Sequence, residues 1–332
     1  MEKIRVIHIG VGGRGIWPVK LFKQRDGFTS VAYVDVSKEA MKKACSISGL
    51  PLEKCFSSLD EALKEVSADA VFVITPPELH AEQCLQAIKA DKHVLVEKPF
   101  TLSLREAKQI VEEANTRRLS IVVSQNVRCT PLYKKLAYLI KEKIYGKAFF
   151  GLMIKFGWRP KIHHSGKIRH SYLWERGVHD LDTVLSLFNA EPKRVWGYSF
   201  NPPWSPYEHG AGTYTWVEFA DGVTFGLICS FAAHSNKQDL QIECEKGSLI
   251  VINSKIYLKK YDSTEKEIIP IEEGPPAESI ILDGFYKYIT NGIEPSFSGK
   301  QNLKTIALVE ASGVASDKGR IVDFHQYLQE GK

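Results

Sequence analysis

The chain has 332 residues, 44% of them hydrophobic and 25% charged, which excludes a disordered or fibrous protein and exceeds one ordinary domain. Its net charge of +5 comes from scattered lysines and arginines, an argument against a nucleic-acid partner, and no apolar run reaches the length of a membrane span. The six cysteines, at 45, 55, 84, 129, 229 and 244, form no Cys-x-x-Cys, and Met1-Glu2-Lys3-Ile4 lacks a signal-peptide pattern, so a cytoplasmic protein with reduced thiols, no metal centre and no membrane partner is expected.

In chain order, Ile4–Ile9 is a short apolar run of the kind buried on both faces of a parallel sheet. It runs straight into Gly10-Val11-Gly12-Gly13-Arg14-Gly15. In this setting Gly10 allows the tight turn, Gly12 lets the backbone approach a pyrophosphate, and Gly15 lets helix and strand pack closely. The helix start offers free N–H groups to phosphate. A second strand, Thr29–Val34, ends at Asp35, about 20 residues past the last glycine. A carboxylate there binds ribose hydroxyls and repels a 2′-phosphate, which favours NAD over NADP. The bland alternative for Asp35 is a helix cap.

The strand Ala70–Ile74 leads into Thr75-Pro76-Pro77-Glu78-Leu79-His80, where two prolines force a turn at the sheet edge. Thr75 is then placed near the cofactor. His80 is either a ribose ligand or a polar residue in the first helical turn. The strand His93–Val96 leaves through Glu97-Lys98-Pro99. This puts an ammonium on the carboxyl edge of the sheet, where open α/β sheets bind ligands, and an X-Pro bond there can be cis. The candidate cofactor contacts are Gly10, Gly12, Gly13, Arg14, Gly15, Asp35, Thr75, Pro76, His80, Glu97 and Lys98. With Ser120–Ser124 as a further strand and helical patterns between, such as Pro77–Ala90 and Ser103–Arg117, residues 1–125 read as a doubly wound parallel sheet.

After Arg128 the rhythm changes, and residues 126–332 are expected to form a second, α+β domain. A helix over Pro131–Lys143 precedes strands at Phe149–Trp158, Arg194–Phe200, Thr213–Phe219, Thr224–Phe231, Gln238–Glu243, Ser248–Ile252 and Ile256–Tyr261. Asp221-Gly222 and Lys246-Gly247 are hairpin turns, so the sheet is largely antiparallel. Helices are expected at Val178–Phe188, Ala277–Thr290 and Leu303–Ser316.

On the first of these helices His179 and Asp182 share a face, and Glu175 stands just before it. An imidazole flanked by carboxylates suits a general base; a capped helix with a satisfied histidine is the competing view. Arg159, Lys161, His163, His164, Lys167, Arg169, His170 and Arg176 crowd the preceding stretch. An anionic substrate such as a uronate or a sugar phosphate would suit them, as would a solvated loop. Irregular spacing disfavours a zinc site at His163, His164 and His170.

These motifs together resemble the glucose–fructose oxidoreductase / inositol dehydrogenase / MocA family. The matching segments are G-V-G-G-R-G, T-P-P-E-L-H, E-K-P, Q-N-V-R-C-T-P and G-V-H-D-L-D in that order, with N-G-I-E-P-S-F-S-G near the end. The resemblance implies an N-terminal Rossmann domain and a C-terminal domain with an open mixed sheet often used for oligomerisation. It also implies that Lys98 matches the family's lysine and His179 its catalytic histidine. Where the family usually carries Asp, this chain has Glu175, whose carboxylate reaches about 1.5 Å further.

The expectation is an NAD-dependent enzyme that moves a hydride between a secondary alcohol of a sugar, cyclitol or related polyol and the nicotinamide, as a homodimer or homotetramer. Its catalytic candidates are Lys98, His179, Asp182 and Glu175. A short-chain dehydrogenase fails on spacing, because no tyrosine has Lys four residues later. Two rivals are a redox-neutral enzyme of glycosidase or epimerase type that retains NAD, and a non-enzymatic sensor of cofactor or sugar.

Overall fold

Unbroken runs of Val and Ile can be buried on both faces only if helices cover both sides of the sheet they form. The computed structural model, which describes residues 3–162 and 164–330, shows that arrangement at the start of the chain. Six parallel strands, β1 (Ile4–Ile9), β2 (Phe28–Val34), β3 (Cys55–Phe56), β4 (Ala70–Val73), β5 (His93–Val96) and β6 (Ile121–Val123), lie in the order β3-β2-β1-β4-β5-β6. Between them run α1 (Ile16–Phe22), α2 (Lys38–Ser48), α3 (Leu59–Glu65), α4 (His80–Lys89) and α5 (Leu104–Thr116). Ser37 and Ser58 cap α2 and α3 by accepting the Ala40 and Glu61 amides at 3.2 and 3.3 Å. Strand order reverses beside β1, so a crevice opens at the carboxyl ends of β1 and β4. The two-residue β3 was not foreseen, being too short to carry a pattern.

The second sheet has nine strands. They are β7 (Ala148–Trp158), β8 (Pro192–Phe200), β9 (Gly212–Phe219), β10 (Thr224–Ser230), β11 (Ala232–Cys244), β12 (Gly247–Ile252), β13 (Lys255–Lys260), β14 (Glu267–Ile269) and β15 (Val322–Asp323), in the order β14-β13-β12-β11-β7-β10-β9-β8-β15. All pairs are antiparallel except β10 with β7. The register sorts the side chains into two faces. The rows Met153–Leu227–Thr215–Gly197 and Lys155–Cys229–Thr213–Ser199 lie on one, and Leu152–Gly226–Trp216–Trp196 and Ile154–Ile228–Tyr214–Tyr198 on the other. The first face is covered. Phe188, just past helix α7 (Val178–Leu187), packs on Phe219 and Phe225. At Gly197 the backbone of a later helix comes so near that an added Cβ would lie 2.1 Å from the Ser312 carbonyl. A further helix, α6 (Pro131–Lys141), precedes β7.

The division expected at residue 125 needs one amendment. The chain divides into residues 1–125 with 278–303, and residues 126–277 with 304–332. Helix α8 (Ala277–Asn291) therefore belongs, apart from its first residue, to the first unit. The cause is aromatic packing: Phe285 stacks on Phe28 and meets Phe72 edge-on, and Ser298 bridges to Val122. These partners lie 176 to 257 residues earlier in the chain, so no local pattern announces them. Helix α9 (Gly299–Lys318) then leads back to the second unit, which closes with β15 and α10 (Phe324–Glu330).

Candidate active site

The crevice of the first unit is a cleft of about 600 Å³ lined by Gly10, Gly12, Asp35, Thr75, Pro76 and Gln83, among others. Two glycines are required by close approach. Gly10 has φ +80, and a Cβ there would stand 2.3 Å from the Ile74 carbonyl oxygen. A Cβ on Gly15 would stand 1.8 Å from the Gly10 oxygen. At Gly12 the nearest atoms to an added Cβ are at 3.6 and 3.8 Å, ordinary contacts, and the residue lines the cleft. The Asp35 carboxylate accepts the Val11 and Gly12 amides at 2.8 and 3.2 Å and the Ser37 amide at 2.8 Å. These contacts hold it at the lip of the cleft. Thr75 donates to Gln83 at 2.6 Å. A glycine turn on the cleft wall beside a fixed carboxylate fits a dinucleotide's pyrophosphate and ribose. Ser57, Leu79, Gln83 and Gln86 also line the cleft and were missed, because they follow the short β3 or lie inside a helix pattern.

Other expected cofactor contacts have different tasks. Glu97 Oε1 accepts from Arg14 Nε at 3.1 Å and Trp17 Nε1 at 3.0 Å, and Oε2 from the Lys98 amide at 3.2 Å. Arg14 also pairs with Glu278 at 3.1 Å. Arg14 and Glu97 thus tie the glycine turn to the exit of β5 rather than line the cleft. His80 is corrected from a cofactor contact to an internal brace. It is fully buried, with Nδ1 2.7 Å from the Pro99 carbonyl and Nε2 2.9 Å from the Thr75 carbonyl. Burial lowers its pKa most strongly, while the two carbonyls pull the other way. Gly13 has φ +45 and open surroundings. Lys98 leaves β5 at the carboxyl edge of the sheet, and the Lys98–Pro99 peptide is cis.

In the second unit a π-helical turn, Leu173–Gly177, carries Glu175 and Arg176 directly into α7. His179 lies buried in the first turn of α7. Glu175 pairs with Arg159. Asp182 is held by Arg128 Nε at 2.7 Å and by the Thr305 hydroxyl at 2.8 Å. Burial is the largest influence on Asp182 and raises its pKa, against the pull of Arg128 and Thr305. Its place in this network makes it an anchor of α7, in contrast to the expected orienter of substrate or imidazole. Asp180, the next acid, accepts from Lys155 Nζ at 2.5 Å and from the Tyr172 hydroxyl at 3.1 Å. Burial opposes the Lys155 charge, and Asp180 outweighs it, so the ammonium titrates above its ordinary range. Lys155 was missed because a lone lysine in a strand pattern reads as solvent-facing.

The basic stretch disperses. Arg169 pairs with Asp317 at 2.5 Å, His170 lies 3.3 Å from the same carboxylate, and Lys161 and Lys167 face solvent. His163 and the His164 side chain lie outside the described residues. Among the described residues no group of three His, Cys, Asp or Glu side chains could hold a metal ion, and no helix is long and apolar enough to cross a membrane.

A doubly wound sheet with a glycine-lined cleft at its switch point, joined to an α+β unit, defines a dinucleotide-binding protein of two-unit build. Comparison with known proteins narrows this. Residues 4–125 match the model of an oxidoreductase family with an NAD-binding Rossmann fold, and residues 133–250 match the GFO/IDH/MocA C-terminal domain. The 1,5-anhydro-D-fructose reductase of Ensifer adhaerens is 24% identical over 308 residues, 88% of this chain and 91% of that protein. The D-apiose dehydrogenase of Paraburkholderia graminis is 23% identical over 90% of this chain and 84% of its own length. An oxidoreductase from Agrobacterium radiobacter, solved in complex with NAD+, L-tartaric acid and magnesium, superposes with a TM-score of 0.82 at 19% identity over 98% of this chain and 99% of that one. The chain belongs to the Gfo/Idh/MocA family: it is an oxidoreductase whose first unit is an NAD-binding Rossmann domain.

Proposed function

We propose that this protein is an NAD-dependent dehydrogenase that interconverts a secondary alcohol of a sugar, cyclitol or related polyol with the corresponding ketone. The observation that carries the proposal is Lys98, which leaves β5 on the sheet edge that also bears the glycine turn and Asp35. When bound, NAD supplies the hydride acceptor. Asp35 receives the ribose hydroxyls and disfavours a 2′-phosphate. The Lys98 ammonium steadies the substrate oxygen as charge develops on it. His179 takes the hydroxyl proton, so the alcohol loses one hydride and one proton. Glu175, engaged with Arg159, positions the start of α7.

Six cysteines present as thiols support a cytoplasmic location. The uncovered aromatic rows of the second sheet, with Trp196, Tyr198 and Tyr214 exposed, support a homodimer or homotetramer.

The test is turnover. The purified protein is offered sugars, inositols and uronates with NAD or NADP, and nicotinamide reduction is followed by absorbance. Released NADH is expected with at least one class, with NAD preferred. Lys98→Ala is expected to lower turnover by about 10²–10³-fold. Equal or tighter binding of NADP would remove the role of Asp35. Near-normal turnover in Lys98→Ala would remove that of Lys98. Substrate conversion without release of NADH would replace the proposal by a redox-neutral, NAD-retaining reaction.

A further inference from the structure

The second unit holds two adjoining cavities, of about 210 and 670 Å³, whose walls share Lys155, Arg176, Asn236 and Gln238. All lining residues belong to the second unit.

The charges around these cavities are matched with one exception. Lys155 pairs with Asp180, Arg159 with Glu175, and Lys237 with Asp239 at 3.3 Å. Arg176 is half-buried and lines both cavities, yet it forms no hydrogen bond and no ion pair among the described residues. The nearby Lys155 ammonium carries the same sign and is disfavoured by Arg176. A half-buried guanidinium gives up part of its hydration, which an anionic partner would replace. It also offers five N–H donors in a planar fork shaped for a carboxylate or phosphate. Among the described residues no acidic side chain takes that position, and Asn236 and Gln238 line the same two cavities. The π-helical turn bearing Arg176 places it three residues before His179.

We propose that Arg176 is an anion-binding specificity residue, which selects sugars bearing a carboxylate or phosphate over their neutral parents. The proposal rests on the dehydrogenase reading for the sugar class. It assigns the negative group to the cavity at Arg176, with Asn236 and Gln238 as further donors. The dispersed basic residues upstream do not share in it, since Arg159 and Arg169 have their own carboxylates.

Calorimetry on the NAD-loaded protein tests this without turnover. The probes are glucuronate, galacturonate and mannuronate, the three parent hexoses, and the corresponding hexose 6-phosphates. At least one anionic sugar is expected to bind ten or more times tighter than its parent. Arg176→Gln is expected to collapse that ratio towards one, and Arg176→Lys to retain part of it. The lysine variant keeps the charge and serves if the glutamine variant fails to fold. Tighter binding of phosphates than uronates identifies phosphate as the group held, and the reverse identifies carboxylate. If no anionic sugar outbinds its parent, or Arg176→Gln keeps the full ratio, the proposal is overturned. Discrimination without any oxidation leaves the anion site standing and removes the dehydrogenase reading. Oxidation of neutral polyols without discrimination does the opposite.

Discussion

Gly12 and Gly15 stand three residues apart in one turn and answer different demands. A methyl on Gly15 meets backbone at 1.8 Å, whereas on Gly12 it meets only ordinary contacts at 3.6 and 3.8 Å. Gly15→Ala is therefore expected to destabilise the protein. Gly12→Ala should leave the melting temperature of the cofactor-free protein unchanged and weaken NAD binding at least tenfold, measured by titration; unaltered affinity would remove the pyrophosphate from this turn. His8 gives a stability prediction. Its ring lies among Phe22, Tyr33 and Phe72, and burial pushes its pKa down to about 3. The unfolded chain takes up this proton below about pH 6.5, while the folded chain does so only near pH 3. Stability from this group is thus full above about pH 6.5 and falls by about 1.4 kcal/mol per unit as pH drops towards 3. His8→Leu should flatten that fall in urea titrations; an unchanged slope would mean that the folded protein takes up this proton as readily as the unfolded chain. For the chemistry, alcohol oxidation should show one ionisation near neutrality that His179→Asn removes. Loss in Glu175→Gln with retention in His179→Asn would move the proton-transfer role to Glu175. The glycine turn, Asp35 and Glu97-Lys98-Pro99 were legible in the sequence because each motif is contiguous with a strand. His80 was not, since its partners are two backbone carbonyls, which leave no trace in residue type.

Helix α7 carries the proposed base, and its fixing is a matter of long-range pairs. Asp182 reaches Thr305, 123 residues away, and Arg128 also donates to the Asp182 carbonyl across 54 residues. The Arg128 and Asp182 side chains are 12% and 3% exposed. Removing one charge strands the other, a loss of about 3–5 kcal/mol. Asp182→Asn should therefore lower thermal stability markedly, which calorimetric scanning would register. A variant that melts normally but turns over slowly would return Asp182 to the orienting role. The helix itself was readable from its apolar spacing; the pairing of its acids was not, because one helix face holds Asp182 and its neighbour Asp180 faces Lys155 and Tyr172. Strands obeyed the same rule. Those with continuous or alternating apolar residues were foreseen within a few positions, whereas β11 extends back through the polar Ser235-Asn236-Lys237, which interrupts any such pattern.

At the scale of the molecule, the two sheets differ in how their faces are protected. The first is covered on both sides, and the second leaves Phe150, Leu152, Trp196, Tyr198 and Tyr214 exposed. A second copy of this chain is the proposed cover. Tyr214→Glu, in the middle of the uncovered rows, should shift the mass seen by light scattering towards the monomer, and a wild-type monomer at micromolar concentration would exclude the idea. The return of residues 278–303 to the first unit has a consequence in time. A chain made from its N-terminus cannot finish the first unit when residue 125 emerges, because Phe28 and Phe72 still lack Phe285. At about 5–20 residues per second, synthesis of the intervening segment lasts roughly ten to forty seconds. Throughout that interval the nascent Rossmann sheet exposes an aromatic surface. That surface is the place where a ribosome-bound chaperone would engage, and a fragment ending at residue 125 would carry it permanently.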